Sequence, residues 1–365
     1  MVHRNTNAFR IAVFPGDGIG HEITEPCLDI LNAALARVGG VSIAPVRLKA
    51  GAGAYRDSGE ALPKSELAEA RRADAILLAA MGDPAIRYPD GTEIMPQVDL
   101  RMEFGLYAGV RPVRSIPGVA GPLADRRGQH LDFVIIREST EGLFAHFRDG
   151  VVDGDTAAHE RLTLTRAGTE RVVDFAFRLA EARRRDRGKG LVTCVDKANA
   201  FKSYAFFRKI FDERAAGFPD IRTSRMYVDA MALDIVRRPW DYDVLVMENI
   251  FGDILSDLGA GLMGGLGFAP SADIGDAHAV FQPCHGTAPD IAGKGIANPT
   301  AMFLSGAMML EWLGEKHGSP EASAAGRLVR DAVDRSFAPG LLVPFERGGN
   351  AGTKAIADAV MAALR

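Results

Sequence analysis

The sequence is poor in cysteine, has no excess of positive charge and contains no long apolar run. Its three cysteines, Cys27, Cys194 and Cys284, lie far apart, and none falls in a C-x-x-C or C-x-x-H spacing. That excludes a disulfide framework or a zinc site as the natural reading, fits a reducing compartment, and leaves three inert thiols. With 43 basic and 47 acidic residues the net charge is -4, so the chain lacks the electrostatic footprint of a protein that binds DNA, RNA or an anionic membrane surface. Small acids are not excluded, because a local arginine cluster can act against the global sign. No segment reaches the apolar length of a membrane span. The N-terminal MVHRNTNAFRIAVFPG has neither a long apolar stretch nor a signal-peptide cleavage pattern. The expectation is a cytoplasmic protein with no nucleic-acid or membrane partner.

What is present is ordinary globular composition, at a length that suits two domains or one large α/β unit. Buried-strand patterns occur at Phe9–Phe14, Ala75–Ala80, Phe133–Ile136, Leu191–Val195 and Val244–Met247, with helical patterns between them, as at Glu22–Ala36, Thr169–Arg185 and Asp253–Met263. Strands alternating with helices predict an α/β fold with much parallel pairing. The Arg-rich run Arg183–Arg187 is read as a solvated helix end rather than a nucleic-acid patch. Two Gly/Pro-rich stretches, Arg111–Gly121 and Gly261–Ser271, are read as crossings between domains.

Several segments carry chemistry. PGDGIG (Pro15–Gly20) sits between a strand and a helix, yet it fails the dinucleotide fingerprint: after Gly16 and Gly18 the third glycine belongs at position 21, which is His21. It is either a tight turn or a close approach of backbone to a ligand. In NIFGDILSD, Asp253 and Asp257 lie at i and i+4, on one helix face. Two carboxylates so placed repel unless a cation lies between them, and oxygen ligands favour magnesium or manganese. The alternative is service to the helix dipole in a first turn. In YVDAM, Asp229 is an N-cap or a third carboxylate for the same cation; spacing leaves both open.

In VDKAN, Lys197 ends an apolar strand, where α/β ligand sites form, although a surface pairing with Asp196 is the plainer reading. Arg101, Arg111 and Arg137 fall at strand ends or turns, and guanidinium forks read carboxylates well if the fold gathers them. HGTAPDIAGKGIANP (His285–Pro299) is a long loop without periodicity, of the kind that is usually functional. Its Asp290 suits a ribose diol.

Taken in order, PGDGIG, VDKAN, YVDAM, NIFGDILSD, HGTAPDIAGKGIANP and GGNAGT (Gly348–Thr353) closely resemble the β-decarboxylating dehydrogenases, the family of isopropylmalate, isocitrate, homoisocitrate and tartrate/D-malate dehydrogenases. The resemblance covers nearly the whole chain. It implies the two-domain α/β fold of isocitrate and isopropylmalate dehydrogenases, without a Rossmann domain. Residues 1–106 and 264–365 would form the larger, cofactor-binding domain, and 107–263 the smaller one, with metal ligands and dimer interface. It implies a homodimer with shared active sites that oxidatively decarboxylates a 3-substituted malate, a small hydroxy-dicarboxylate, using NAD and Mg2+ or Mn2+. Arg101, Arg111 and Arg137 resemble the substrate-carboxylate clamp. Asp253 and Asp257 resemble metal ligands from one subunit, with Asp229 from the other. Lys197 resembles the partner's catalytic lysine, coupled to Asp229, with Asn199 beside it. His285, Gly286, Ala288, Asp290 and Asn298 resemble cofactor contacts, Asp290 at the adenosine ribose. A carboxylate there disfavours a 2′-phosphate, hence NAD.

Two departures stand out. Seven residues after Arg137 of the R-E-x-T motif, where the family has tyrosine, this chain has Phe144. A phenyl ring donates no proton, so the step that protonates the enolate lacks its usual acid. Four residues before Arg101, at the position resembling the one that faces the substrate's variable group, stands Gln97. A buried amide without a partner is costly, so a polar substituent is favoured over isopropyl, unless Gln97 points to solvent. Two other readings are a non-catalytic regulatory subunit of a heteromeric dehydrogenase, favoured only by Phe144, and a metal-dependent carboxylate-binding protein without redox chemistry.

Overall fold

The computed structural model describes residues 8–187 and 189–365. Its strands are β1 (Ala8–Gly16), β2 (Ser42–Arg47), β3 (Ala75–Ala80), β4 (Ala108–Arg114), β5 (Asp132–Glu138), β6 (Val151–Asp153), β7 (Ala157–His159), β8 (Leu191–Asp196), β9 (Arg222–Tyr227), β10 (Val244–Met247), β11 (Pro270–Ile274) and β12 (Ala279–Pro283). The helices are α1 (Gly20–Val38), α2 (Ala52–Ser58), α3 (Lys64–Arg71), α4 (Pro96–Glu103), α5 (Arg166–Arg187), α6 (Lys202–Ala215), α7 (Val228–Arg237), α8 (Asn249–Met263), α9 (Thr300–His317), α10 (Pro320–Phe337) and α11 (Thr353–Ala363).

Ten strands form one sheet in the order β2-β1-β3-β12-β11-β4-β5-β10-β8-β9, and β6 and β7 pair as a separate hairpin. Both flanks are parallel, β2 through β12 on one side and β5 through β9 on the other, while β12-β11-β4-β5 in the middle pair antiparallel. Each predicted strand is present, extended by one to three residues except β3 and β10, which match the prediction. β3 reads AILLAA because helices cover both its faces and every residue is buried. The edge strand β2 tolerates Pro45, whose missing N–H costs an edge less than an interior position.

Some expectations are corrected. The stretch Arg111–Gly121 starts inside β4 and Gly261–Ser271 ends inside β11, so neither is wholly a connection. Arg183 is not solvated: its guanidinium donates to the fully buried Asp243 at 2.7 Å and to Asp132. PGDGIG serves the fold. A Cβ on Gly18, whose φ is +55°, would meet the carbonyl oxygen of Thr287 at 2.2 Å, and Ile19 N donates to that same oxygen at 2.9 Å. The glycine therefore docks the start of α1 against the His285–Pro299 loop.

Candidate active site

Side chains alternate across a strand, so register dictates which groups share a face. In β4, Gly109 and Arg111 point the same way; Gly109 lies opposite both Arg137 of β5 and Asp273 of β11. Ser271, two residues from Asp273, lies opposite Gln282 of β12. One face of the antiparallel centre thus carries Gln282, Asp273, Arg111 and Arg137 in adjacent rows. Helix α8 packs against this face. It comes close because Gly252 has no Cβ; one placed there would meet the Arg137 side chain at 2.6 Å. Arg101 arrives from the last turn of α4, not from a strand end or turn as the sequence suggested.

All three arginines are buried, at 8, 5 and 2% exposure for Arg101, Arg111 and Arg137. A buried cation without partners is unstable, and the partners are explicit. Arg101 Nε donates to Asp273 at 3.2 Å, and Arg111 lies 3.6 Å from the same carboxylate. Arg137 donates through Nε and Nη2 to Asn249 Oδ1 at 2.9 and 2.6 Å and pairs with Asp253 through Nη1. Burial, reinforced by Arg101, lowers the Arg137 pKa to about 10, so it stays cationic at neutral pH. For Asp273 burial acts upward, but Arg101, Arg111 and Arg137 outweigh it, and its net shift is down.

The three arginines line a cavity of about 150 Å³ with Gln97, Asp253, Ser256, Asp257, Gln282, Cys284, His285 and Gly286. Three buried polar atoms of its wall have no hydrogen-bond partner among the described residues: Gln97 Oε1, Arg111 Nε and His285 Nε2. Buried polar groups are nearly always satisfied, so three orphans on one cavity mark it as a place for a polar ligand. The idea that Gln97 points to solvent is thereby overturned for its oxygen. Burial also lowers the His285 pKa, keeping the imidazole neutral. Asp257 is pushed up, first by partial burial and then by the charge of Asp253. Because α8 begins at Asn249, with Glu248 capping it through Phe251 N, neither aspartate lies in the first turn. The dipole alternative loses its basis, and two facing carboxylates remain.

Other predicted residues lie elsewhere. Lys197 donates to Asp229 in an outward-facing pair, and neither lines the cavity. Asp196 is taken by Arg208 at 2.7 Å, so the plain Lys197–Asp196 pairing does not form. Asp229 sits one residue inside α7, whose N-cap is Tyr227, and the lysine's hydrogen bond lowers its pKa. Asn199 is exposed. In the long loop, Ala288, Asp290 and Asn298 do not line the cavity. Asp290 is exposed, and the Asn298 amide bridges Glu346 and Thr300 at 2.8 and 2.6 Å. Ala288 has φ +39°, the sole positive value for a non-glycine residue among those described, a strained turn of the sort found at ligand sites.

The chain reading missed Asp273, Gln282, Asn249 and Cys284. Asp273 had a signal, an acid inside the otherwise uncharged strand PSADI. Cys284 is not a remote thiol: Arg111 Nη1 lies 3.6 Å from its sulfur.

The model of the isocitrate/isopropylmalate dehydrogenase family matches residues 10–360. A 3-isopropylmalate/3-methylmalate dehydrogenase of Methanocaldococcus jannaschii is 40% identical over 98% of this chain and 99% of its own length. A homoisocitrate dehydrogenase of the same organism is 38% identical over 98% of each chain. The crystal structure of isocitrate dehydrogenase from Methylococcus capsulatus superposes with a TM-score of 0.83 at 36% identity, covering 98% of this chain and 99% of that one. A family match over almost the whole length, joined to that fold and to an arginine-lined cavity beside two carboxylates, makes this chain a β-decarboxylating dehydrogenase of the isocitrate/isopropylmalate dehydrogenase family.

Proposed function

We propose that the chain oxidatively decarboxylates a 3-substituted malate with NAD and a divalent cation, as a homodimer with shared active sites. The observation that carries the reading is the cavity itself, where three buried guanidiniums face the Asp253–Asp257 pair. Its architecture supports the division into residues 1–106 with 264–365 and 107–263. Strands from the middle of the chain lie together as β4-β5-β10-β8-β9, and the remainder occupy the other end of the sheet.

The residues present fit a cation. Asp253 and Asp257 share a helix face and repel, as the raised Asp257 pKa reflects after burial is counted. Among the described residues of one chain no third His, Cys, Asp or Glu joins them, which favours a ligand from a second copy. Asp229 is the candidate: it is exposed, next to Lys197, and α7 and α8 present the exposed apolar side chains Leu233, Val236 and Ile254 that a second copy would cover. Asp253 and Asp257 of one chain with Asp229 of the other would hold Mg2+ or Mn2+. When bound, the cation supplies Lewis-acid polarisation of the hydroxyl and carbonyl oxygens, and NAD accepts the hydride.

The chain's own part follows from its groups. Arg101, Arg111 and Arg137 fix the two carboxylates of the substrate by charge-assisted hydrogen bonds. Lys197, oriented by Asp229, takes the hydroxyl proton as hydride leaves the same carbon. Loss of carbon dioxide from the β-keto acid follows, and protonation of the enolate completes the reaction. Phe144, whose ring lies 5.4 Å from the Arg137 guanidinium, contributes no proton to that last step. Gln97 turns its orphan oxygen toward the substituent, so a substituent with a hydrogen-bond donor, as in a tartrate-like acid, is preferred to isopropyl. His285, Gly286, Ala288, Asp290 and Asn298 are assigned to NAD; the exposed carboxylate of Asp290 favours a ribose diol over a 2′-phosphate. The test is NADH formation over a panel of malate-type acids with manganese. NADH formation with none of them contradicts the reading and returns the regulatory-subunit alternative.

A further inference from the structure

Asp273 is fully buried beside the clamp, at 0% exposure, and the sequence around it is shaped to admit it. A Cβ on the facing Gly109 would lie 3.2 Å from its Oδ1 and 2.6 Å from Ser139 Oγ. Its carboxylate gathers groups from four places in the chain. Oδ2 accepts from Arg101 Nε at 3.2 Å and from Gln282 Nε2 at 2.7 Å; Oδ1 accepts from Ser139 Oγ at 3.4 Å and lies 3.6 Å from Arg111. It does not line the cavity. It lies behind the arginines, and because it engages Arg101 through Nε, the two terminal nitrogens of that guanidinium remain for a ligand.

Charge can then be summed on the proposed site. Asp253 and Asp257 balance a divalent cation, and the Lys197–Asp229 pair is not part of the cavity wall. Three guanidiniums less one Asp273 carboxylate leave two positive charges. We propose that Asp273 is a positioning residue of the carboxylate clamp, and that its fixed negative charge restricts the clamp to a dianion, so that malate-type dicarboxylates are preferred to tricarboxylates. This deepens the functional reading above and rests on it. A trianion leaves one carboxylate uncompensated, and Asp273 adds repulsion to it from within a few residues of the cavity.

The experiment is calorimetric binding of D-malate and of isocitrate, each with magnesium, to the full-length protein and two variants. Asp273→Asn keeps the shape and removes the charge. The double variant Asp273→Asn, Gln282→Glu returns a carboxylate to the other side of the same 2.7 Å contact. The affinity ratio of isocitrate to malate should rise on the order of tenfold in Asp273→Asn, for one charge acting at low effective dielectric, and fall back in the double variant. If Asp273→Asn is too unstable without ligand, thermal melts give a second reading. Loss of the Asp273 charge should make its midpoint rise more with added isocitrate than that of the unmodified protein or the double variant. A ratio equal in all three proteins, even with both affinities reduced, overturns the charge assignment while the functional reading stands. Failure of the unmodified protein to bind either acid overturns both.

Discussion

The arginine cavity and the Lys197–Asp229 pair occupy opposite extremes of the molecule's electrostatics. Arg137 has a 3% exposed side chain, fixed by Asn249 and Asp253, while Lys197 and Asp229 are 27 and 66% exposed and bind each other. An exposed ion pair contributes about 0–1 kcal/mol to stability, so stability does not explain Lys197 and Asp229. Buried arginines cost more to hold than they return, so stability does not explain the cavity either. The cavity gathers three guanidiniums yet offers no general base among its lining residues beyond the two carboxylates and the neutral His285. The Lys197 pair offers an amine and a carboxylate yet does not line that cavity. Each region lacks what the other has.

Breaking either half should therefore abolish the same reaction. Asp253→Asn or Lys197→Ala should lower kcat by about 10²–10⁴-fold. Only Asp253→Asn should also weaken manganese binding, read by titration calorimetry; equal metal affinity in the two variants would erase the contrast between the regions. Phe144→Tyr tests the last proton transfer. A positioned acid is worth roughly a hundredfold where protonation limits, so single-turnover decarboxylation should accelerate while the hydride step stays nearly constant. Unchanged rates in both steps would make Phe144 irrelevant to the chemistry. Arg111→Gln should raise KM about tenfold to a hundredfold with a smaller change in kcat, because a charged hydrogen bond contributes about 1.5–3 kcal/mol; a pure kcat effect would contradict a binding role.

The smallest effect concerns stability. The Asp257 pKa is raised in the fold, so native protein holds its proton to higher pH than unfolded chain does, and stability falls as pH rises through the carboxylate range. Asp257→Asn should raise the melting midpoint of metal-free protein slightly at neutral pH and remove the further rise given by manganese. A lowered midpoint in metal-free protein would show that the pair does not repel.

The sequence made the strand plan legible because runs such as AILLAA and VLVM are continuously apolar yet too short for an ordinary helix, so length decides where periodicity does not. It named the arginines, and the register of β4 and β5 explains why two of them meet. It did not reveal Asp273, because a buried acid in a strand looks in sequence like any edge residue until β11 is known to run between β12 and β4. Nor could it tell that α8 starts at Asn249, which removed Asp253 from the first turn and made Asn249 a partner of Arg137. Arg183 was misread for the same reason: its partner, Asp243, is 60 residues away.

The central claim is that the two regions act together across a subunit boundary. Inactive Lys197→Ala and Asp253→Asn chains, mixed under conditions where subunit exchange is proven, test it most directly. In a mixed dimer one site receives both intact halves and the other neither, so activity should recover to roughly a quarter of the unmodified level, half the dimers being mixed with one good site in two. No recovery despite exchange would contradict the account.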